Sequence, residues 1–262
     1  ALLQAIFLQS GYDYRSYSFP SIRRRIHSFI RRNKLSSVTE LAEKVLTNQA
    51  QLHALLFSLS IPTTYMFRDI NVFRAIREEI VPILRQSPLI KIWSAGCSTG
   101  EEAYSLAILL KEEHAYERTL LYATDVSERA LASAQKAIYP LRRMRDYTSA
   151  YQSAGGKSDF SEYYSADPEN AIMHSFLKQN IVFGQHNLVT DSSFNEFDLI
   201  LCRNVLIYFN RDLQNQVLQL LSNSLRPGGF LILGDKETLN IYPSHIKYKD
   251  FDRALRIYQK RM

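Results

Sequence analysis

An α/β domain built on a parallel sheet, preceded by a smaller all-helical domain, is the fold the sequence predicts, and three observations predict it. From Leu89 onward, short apolar runs alternate with amphipathic helical stretches, the pattern of successive strand–helix–strand units. Along the first 85 residues apolar side chains recur every three or four positions, with no convincing β-alternation. At 262 residues the chain is long for one domain and short for two, which fits a main domain of about 180 to 200 residues plus an appendage. We place the boundary at residue 70, with a helical domain over 1–70, the sheet domain over 71–262, and a small β insertion over about 140–180.

In the helical domain, the run from Ile22 to Arg32 sets Ile22, Ile26, Phe29 and Ile30 on one stripe of a helix, with Arg24, Arg31 and Arg32 facing the other way. Five arginines and one histidine in these eleven residues, with no acid among them, make either a solvated face or a dock for an acidic partner. Ser36 or Ser37 supplies an N-cap for the helix that follows, because a hydroxyl can accept from a first-turn amide.

In the sheet domain, Ile90 to Trp93 predicts the first strand, followed by a glycine-bearing loop and a helix from about Glu101 to His114. Leu120 to Asp125 predicts the second strand, with a helix from Ser127 to Ala137 behind it; two such units imply a parallel sheet with right-handed crossovers. Asn180 to Phe183, Phe197 to Cys202 and Phe230 to Leu233 read as further strands, with a helix from Arg211 to Leu225 and a turn at Arg226-Pro227-Gly228-Gly229. Arg253 to Gln259 reads as the last strand. Between Pro140 and Asn180, Tyr163-Tyr164 and Ala171 to Phe176 flank Asp167-Pro168-Glu169-Asn170 as a small hairpin.

Composition narrows the function classes. A chain 46% hydrophobic and 22% charged, with 9 Gly and 8 Pro, can bury a core and is not a disordered or low-complexity scaffold. Its longest apolar stretches fall far short of the roughly 20 residues of a membrane span. The start Ala-Leu-Leu-Gln has neither a basic segment nor a cleavage site, and so predicts no secretory signal. Two cysteines, Cys97 and Cys202, cannot build a disulfide framework, and with six scattered histidines they offer no metal-ligand spacing. We expect a reducing, cytoplasmic setting, no structural metal and free thiols. The formal charge of +6 favours an acidic partner: nucleic acid, anionic lipid or an acidic protein surface.

The loop Ser94-Ala95-Gly96-Cys97-Ser98-Thr99-Gly100-Glu101-Glu102 lies between the first strand and its helix, where a doubly wound sheet opens its ligand crevice. It lacks the Gly-Lys-Ser/Thr ending of a phosphate-binding P-loop, and Gly96 and Gly100 do not fit Gly-x-Gly-x-x-Gly, so a tight turn needing glycine at positive φ explains it equally well. Asp125 ends the second strand, where a carboxylate can accept both hydroxyl hydrogens of a ribose; the alternative is an acidic cap for the helix at Ser127. Loop and acid at successive strand ends point to a nucleoside-containing cofactor, either NAD or S-adenosylmethionine.

Further motifs follow in chain order: Thr64-Tyr65-Met66-Phe67-Arg68-Asp69, the loop from Trp93 to Glu102, Ala123-Thr124-Asp125, Asn187-Leu188, Cys202-Arg203-Asn204-Val205-Leu206-Ile207-Tyr208-Phe209 and Leu225-Arg226-Pro227-Gly228-Gly229. Together they resemble the CheR-type chemotaxis receptor methyltransferases, which use S-adenosylmethionine to esterify glutamate side chains of chemoreceptors. The resemblance spans nearly the whole chain. It implies a class I S-adenosylmethionine methyltransferase sheet domain (Rossmann-like) with an all-helical N-terminal domain, S-adenosylhomocysteine as product, and monomeric docking of Arg24, Arg31 and Arg32 on acidic receptor helices, without nucleic acid or membrane insertion.

The resemblance also assigns residues. Arg68, with Thr64, matches the linker arginine that contacts the cofactor and can meet a carboxylate as a fork. Gly96 belongs to the cofactor loop; Glu101 matches the acid that holds the cofactor's amino-acid or ribose portion, Asp125 the ribose acid, and Asn187 with Leu188 the adenine contact. Cys202, Arg203 and Asn204 match the strand end beneath the cofactor, with Arg203 and Tyr208 lining the substrate pocket. Two positions depart from the family: Pro62 stands where an asparagine is usual, and Gly234-Asp235-Lys236-Glu237 replaces Gly-His-Ser-Glu, changing the charge near the mouth of the site.

Methyl transfer from a sulfonium is an in-line displacement, and a glutamate carboxylate is already ionised at neutral pH, so positioning is the main catalytic task. Arg203 is expected to orient the incoming carboxylate, and Tyr208 to donate to it or to contact the methyl. Two rival readings are an RNA methyltransferase, for which the Asn/Asp-Pro-Pro-Tyr-type motif and a Pro-Cys cysteine are missing, and a non-catalytic adaptor that binds the cofactor or another nucleotide.

Overall fold

The computed structural model describes residues 2–10, 13–15, 17–59, 64–239 and 247–262; Pro62 lies outside them. Four helices, α1 (Leu2–Ser10), α2 (Phe19–Arg32), α3 (Val38–Thr47) and α4 (Gln49–Leu59), form the N-terminal domain around a core of its own that includes Ile6, Ile22, Leu41, Val45, Leu55 and Leu59. The predicted stripe of α2 packs inward, and Arg25 is buried along with it. Ser37 is the N-cap of α3: its hydroxyl accepts the Glu40 amide at 3.1 Å, and the Ser36 amide and hydroxyl each donate to the Glu40 carboxylate at 2.7 Å.

From Met66 the chain joins the core of the sheet domain. α5 (Ile70–Ala75) continues through a π turn at Ile76–Ile80 into α6 (Val81–Leu84). Pro82 cannot donate to the Glu78 carbonyl, and the wider turn relieves the clash its ring would cause. Then follow β1 (Ile90–Ala95), α7 (Glu101–Glu112), β2 (Thr119–Asp125) and α8 (Glu128–Lys136). The insertion comprises β3 (Ile138–Pro140), α9 (Met144–Ser153), β4 (Tyr164–Ala166) and β5 (Asn170–Met173). β6 (Ile181–Gln185), β7 (Phe197–Cys202), α10 (Arg211–Asn223), β8 (Leu225–Leu233), β9 (Tyr248–Asp252) and β10 (Ile257–Lys260) complete the chain.

The main sheet has seven strands in the order β6-β2-β1-β7-β8-β10-β9, parallel from β6 to β8, with β10 antiparallel to both its neighbours. β1 is the switch point: the chain first builds outward through β2 and β6, then returns to β7 on the other side, leaving a crevice at the carboxyl ends of β1 and β7. Cys97 follows β1 and Cys202 ends β7; both are buried, free thiols, with pKa values raised by burial.

Three expectations need correction. Arg226-Pro227-Gly228-Gly229 is not a separate turn: it lies within β8, whose register against β7 slips between Phe197 and Leu199 to absorb it. The last strand starts at Ile257, after a turn, and β9, a partner that weak alternation hid, supplies its outer neighbour. The hairpin of the insertion is present as β4 and β5, with the Asp167 carboxylate accepting the Glu169 and Asn170 amides in the turn, but β3 adds a third antiparallel strand.

Arg77, on the π turn, is buried between Glu112 at 2.6 Å and Glu113 at 2.7 Å, and Glu113 also pairs with Lys157 at 2.7 Å. Tyr151 and Tyr163 donate to the same Glu112 oxygen, tying α7 to the insertion. Removing one partner of a buried ion pair strands the other charge. Arg77→Ala should therefore lower unfolding stability by about 3–5 kcal/mol in urea titrations, more than an exposed arginine such as Arg118 would cost.

Candidate active site

The loop after β1 turns back onto β2. The Gly96 and Cys97 amides both donate to the Thr124 carbonyl at 2.8 Å, which forces a tight turn with φ +83° at Gly96. A Cβ on Gly96 would stand 2.6 Å from the Val205 methyl Cγ2, and one on Gly100, at φ +93°, would stand 2.9 Å from Ala134 Cβ. Glycine is thus required for the turn itself, and the turn then presents Ser98, whose amide donates to Asp125 at 2.8 Å.

Asp125 lines the cleft at the end of β2. Its other oxygen accepts the Ser127 amide at 2.9 Å, while Ser127 itself caps α8, so the carboxylate is oriented by the backbone and the helix has its own cap. Burial raises the pKa of Asp125, opposed by these amide bonds. Across the cleft Tyr17, from the helical domain, has its phenol pushed up by burial and then by the Asp125 charge. Beside them stand Asn187 and Leu188. The Asn187 side-chain oxygen accepts the Val189 amide at 3.0 Å, and its own amide donates to Asp191 at 2.9 Å.

The floor is organised by Arg203. Its guanidinium donates to Asp69 at 2.5 Å, to Glu102 at 3.0 Å and to the Arg68 carbonyl at 2.9 Å, with the side chain 2% exposed. Ser94 donates to the second Glu102 oxygen at 2.7 Å. Four non-glycine residues around this floor have left-handed backbone: Phe67 at φ 54°, Asp69 at 59°, Ser98 at 51° and Asn204 at 60°. Such conformations persist only where the surroundings over-determine them. At Asn204 the surroundings are the buried Glu237 carboxylate, which accepts the amides of Asn204 at 3.0 Å, Gly234 at 2.6 Å and Ile207 at 3.3 Å. Burial raises its pKa against those bonds. Glu237 is thus a strut beneath the site, while Asp235 and Lys236 are exposed.

Tyr208 forms the far wall. Its carbonyl accepts the Ser18 amide at 2.7 Å, the Tyr17 and Phe209 rings meet edge-on at 4.9 Å, and the Arg25 guanidinium lies 4.3 Å from the Tyr208 ring centre. Burial lowers the Arg25 pKa, with Tyr208 opposing.

Of the residues singled out in the sequence, Thr64, Arg68, Gly96, Asp125, Asn187, Leu188, Arg203, Asn204 and Tyr208 converge on this one cleft. Cys202 is fully buried and does not line it. Glu101 does not line it either: it is 1% exposed and turned toward Thr99, Arg143 and Tyr147, and its neighbour Glu102 faces the cleft instead. Adjacent helical residues point about 100° apart, and sequence alone does not say which of two acids faces inward. Also missed were Tyr14 and Tyr17, which line the cleft, and Arg25, which lies over the Tyr208 ring; all three placements depend on how the two domains pack. A nucleoside fits the donor set. Asp125 can accept ribose hydroxyls, and two cleft-lining side chains, His186 through Nδ1 and Asn204 through Oδ1, carry buried polar atoms with no partner among the described residues.

Comparison with known proteins places this geometry. Residues 62–254 match the CheR methyltransferase SAM-binding domain and residues 1–60 the CheR methyltransferase all-alpha domain. A Pseudomonas putida protein named Cher3 is 48% identical over 259 residues, covering 99% of this chain and 95% of its own length. The chemotaxis protein methyltransferase of Listeria monocytogenes is 30% identical over 234 residues, 87% of this chain and 85% of its own. Among solved structures, the methyltransferase domain of bacterial CtHen1-C covers 63% of this chain and 65% of its own at 19% identity and a TM-score of 0.37, too remote to bear on the site. With both of its domains matched in order and a cleft at the switch point of its sheet, the chain belongs to the CheR family of S-adenosylmethionine-dependent methyltransferases.

Proposed function

We propose that the protein transfers a methyl group from S-adenosylmethionine to glutamate side-chain carboxylates of a chemoreceptor or related signalling protein, in the cytoplasm, as part of the adaptation of a chemotaxis-like response. The observation that carries this reading is the state of the acids and bases in the cleft. Among the described residues, Asp125 accepts two backbone amides and Glu102 is paired with Arg203, so both of these cleft carboxylates are engaged. These engagements suit a nucleophile that arrives already ionised, as a carboxylate does, better than an amine that must lose a proton. The name of the Listeria relative supports the chemotactic setting.

When bound, the cofactor supplies a methyl group on a positively charged sulfur. Asp125 would hold the ribose hydroxyls, Asn187 and Leu188 the adenine, and Glu102, in the role expected of Glu101, the ammonium of the amino-acid portion, with Thr64 and Arg68 beside it. Arg203 is already bound by two carboxylates, so its part is to hold Glu102 and the Arg68 backbone in register, not to meet the substrate. Arg68 and the Tyr208 hydroxyl are then the groups that orient the incoming carboxylate, Tyr208 by donating one hydrogen bond that leaves the other oxygen free to attack.

The partner surface follows from α2. Arg24, Arg31 and Arg32 are exposed, and Arg32 reaches Ser58 at 2.8 Å. An acidic receptor helix would meet them while its glutamate enters the cleft, the protein acting as a monomer. We favour this over nucleic acid because the same helix packs Arg25 against Tyr208 at the cleft wall.

S-adenosylhomocysteine should raise the melting temperature, by an amount equivalent to about 2.7 kcal/mol at a hundredfold excess over Kd, and Asp125→Ala should remove most of the shift. Because burial raises the Asp125 pKa, its protonation sets in above the ordinary aspartate range. The affinity for S-adenosylhomocysteine measured by calorimetry should accordingly fall as pH is lowered through that window in the wild type, and stay flatter in Asp125→Asn.

With acidic receptor cytoplasmic domains as substrate, base-labile methyl esters should form. Cofactor binding without any ester would leave the adaptor reading, and a steep salt-dependent affinity for RNA would favour the other rival. Charge reversal at Arg24 and Arg31 should raise KM for the acidic substrate, with added salt mimicking the effect, whereas Tyr208→Phe should lower kcat by about 10- to 100-fold through loss of one hydrogen bond to a charged group.

A further inference from the structure

Arg25 is a buried cation from the other domain. Its neighbours Arg23, Arg24, His27, Arg31 and Arg32 are exposed, whereas Arg25 is 6% exposed. One guanidinium nitrogen, Nη1, donates to the Leu59 carbonyl at the end of α4; Nε and Nη2 find no acceptor among the described residues, and none of their carboxylates forms an ion pair with it. A desolvated guanidinium without a counter-charge is costly, so its burial calls for a compensating interaction. Among the described residues, the Tyr208 ring lies 4.3 Å away and can supply it.

The two ends of Tyr208 are held by different domains. Its backbone belongs to the sheet domain: the amide donates to Val205, Glu237 accepts the amides of Asn204 and Ile207 just before it, and the Gln214 side chain donates to the Leu206 and Phe209 carbonyls at 3.0 Å each. The ring stands on a single 3-10 turn at the side of an open cleft, with α2 on its other face. The Ser18 amide on the Tyr208 carbonyl and the edge-on packing of Tyr17 against Phe209 fix the start of α2 to this turn, which brings Arg25 over the ring.

We propose that Arg25 is the positioning residue of Tyr208: the guanidinium stacked on the ring holds the phenol at the cleft wall and draws electron density from it, making the hydroxyl a better hydrogen-bond donor to the substrate carboxylate. The helical domain is then part of the catalytic unit through Arg25, and a docking surface only through the exposed arginines of the same helix. This rests on the carboxylate-methylation reading above for its kinetic consequence, but not for the contact itself.

The test uses Arg25→Gln, which removes the charge at similar length, and Arg25→Lys, which keeps the charge without the flat fork. With S-adenosylmethionine and an acidic receptor domain, Arg25→Gln should lower kcat by about 3- to 30-fold, the range of one cation–π contact, leave KM for the acceptor within about twofold, and keep the melting shift caused by S-adenosylhomocysteine. Arg25→Lys should recover part of the loss. In a Tyr208→Phe background, Arg25→Gln should have little further effect, because the hydroxyl it serves is gone.

A rise in KM with kcat unchanged would make Arg25 a docking cation like Arg24, and a full additional loss in the Tyr208→Phe background would make it a packing residue; either overturns the proposal. A substrate-independent measurement uses the 13C-labelled tyrosine Cζ resonance of Tyr208, assigned by its disappearance in Tyr208→Phe. It should move in Arg25→Gln or Arg25→Lys and stay in place in Arg24→Gln. An unmoved resonance rejects the stacking whether or not an acidic substrate is ever methylated, whereas absence of methylation by the wild type with a shifted resonance rejects only the substrate reading.

Discussion

Three separate stretches of chain meet on the Arg203 guanidinium: the linker after the helical domain, through Asp69 and the Arg68 carbonyl; the start of α7, through Glu102; and the end of β7, which carries Arg203 itself. A buried arginine has five donors to satisfy and one charge to compensate, and here Nη1 and Nη2 make three hydrogen bonds, to Glu102, Asp69 and the Arg68 carbonyl, while the two carboxylates compensate the charge. The crevice of a doubly wound sheet exists wherever the strand order reverses. What shapes this one is the arginine that pins the linker across it. The left-handed backbone at Phe67 and Asp69 is the cost of bringing the linker within reach, and Phe73 packs beneath the guanidinium at 5.7 Å.

Because the linker is pinned there, the helical domain sits against the sheet domain instead of trailing from it. Tyr14, Tyr17 and Leu59 wall the same cleft as Asp125 and Asn204, and Tyr17 is close enough for the Asp125 charge to raise its phenol. A cofactor bound here would be enclosed by two domains with separate cores. Water exclusion strengthens every polar contact in the cleft, which matters for a reaction whose catalysis is mostly positioning. Among the described residues, the partly buried Asp125 and the buried Glu237 form no ion pair and are both solvated by backbone amides, which fixes their orientation more rigidly than flexible side-chain partners would.

Much of this was legible in the sequence wherever a feature is local or repeats with a fixed period. The strands that are buried on both faces announce themselves as apolar runs, and the stripe on α2 and the serine cap of α3 follow from spacing and hydroxyl chemistry alone. The motifs placed Asp125, Asn187 and Arg203 at strand ends, and strand ends of a parallel sheet are gathered at one edge by topology. The errors fall where local pattern is ambiguous. Pro227 and its two glycines read as a turn, but a bulge against β7 absorbs them in an extended strand; β9 carries charge on most of its exposed positions, and its pairing with β10 gave no apolar signal.

Residue spacing and side-chain chemistry alone establish the two-domain α/β plan, the basic outer face of α2, the glycine turn and the order of motifs that mark the cofactor cleft. Packing between distant segments sets the rest: Glu102, not Glu101, faces the cleft, Arg203 pairs with Asp69 and Glu102, and Arg25 points inward onto Tyr208 while the other arginines of its helix face outward. The physical reason is common to all three. Each depends on the rotation of a helix about its axis, or on the approach of one domain to another, and these are set by the packing of residues far apart in the chain, to which spacing within any one segment is blind.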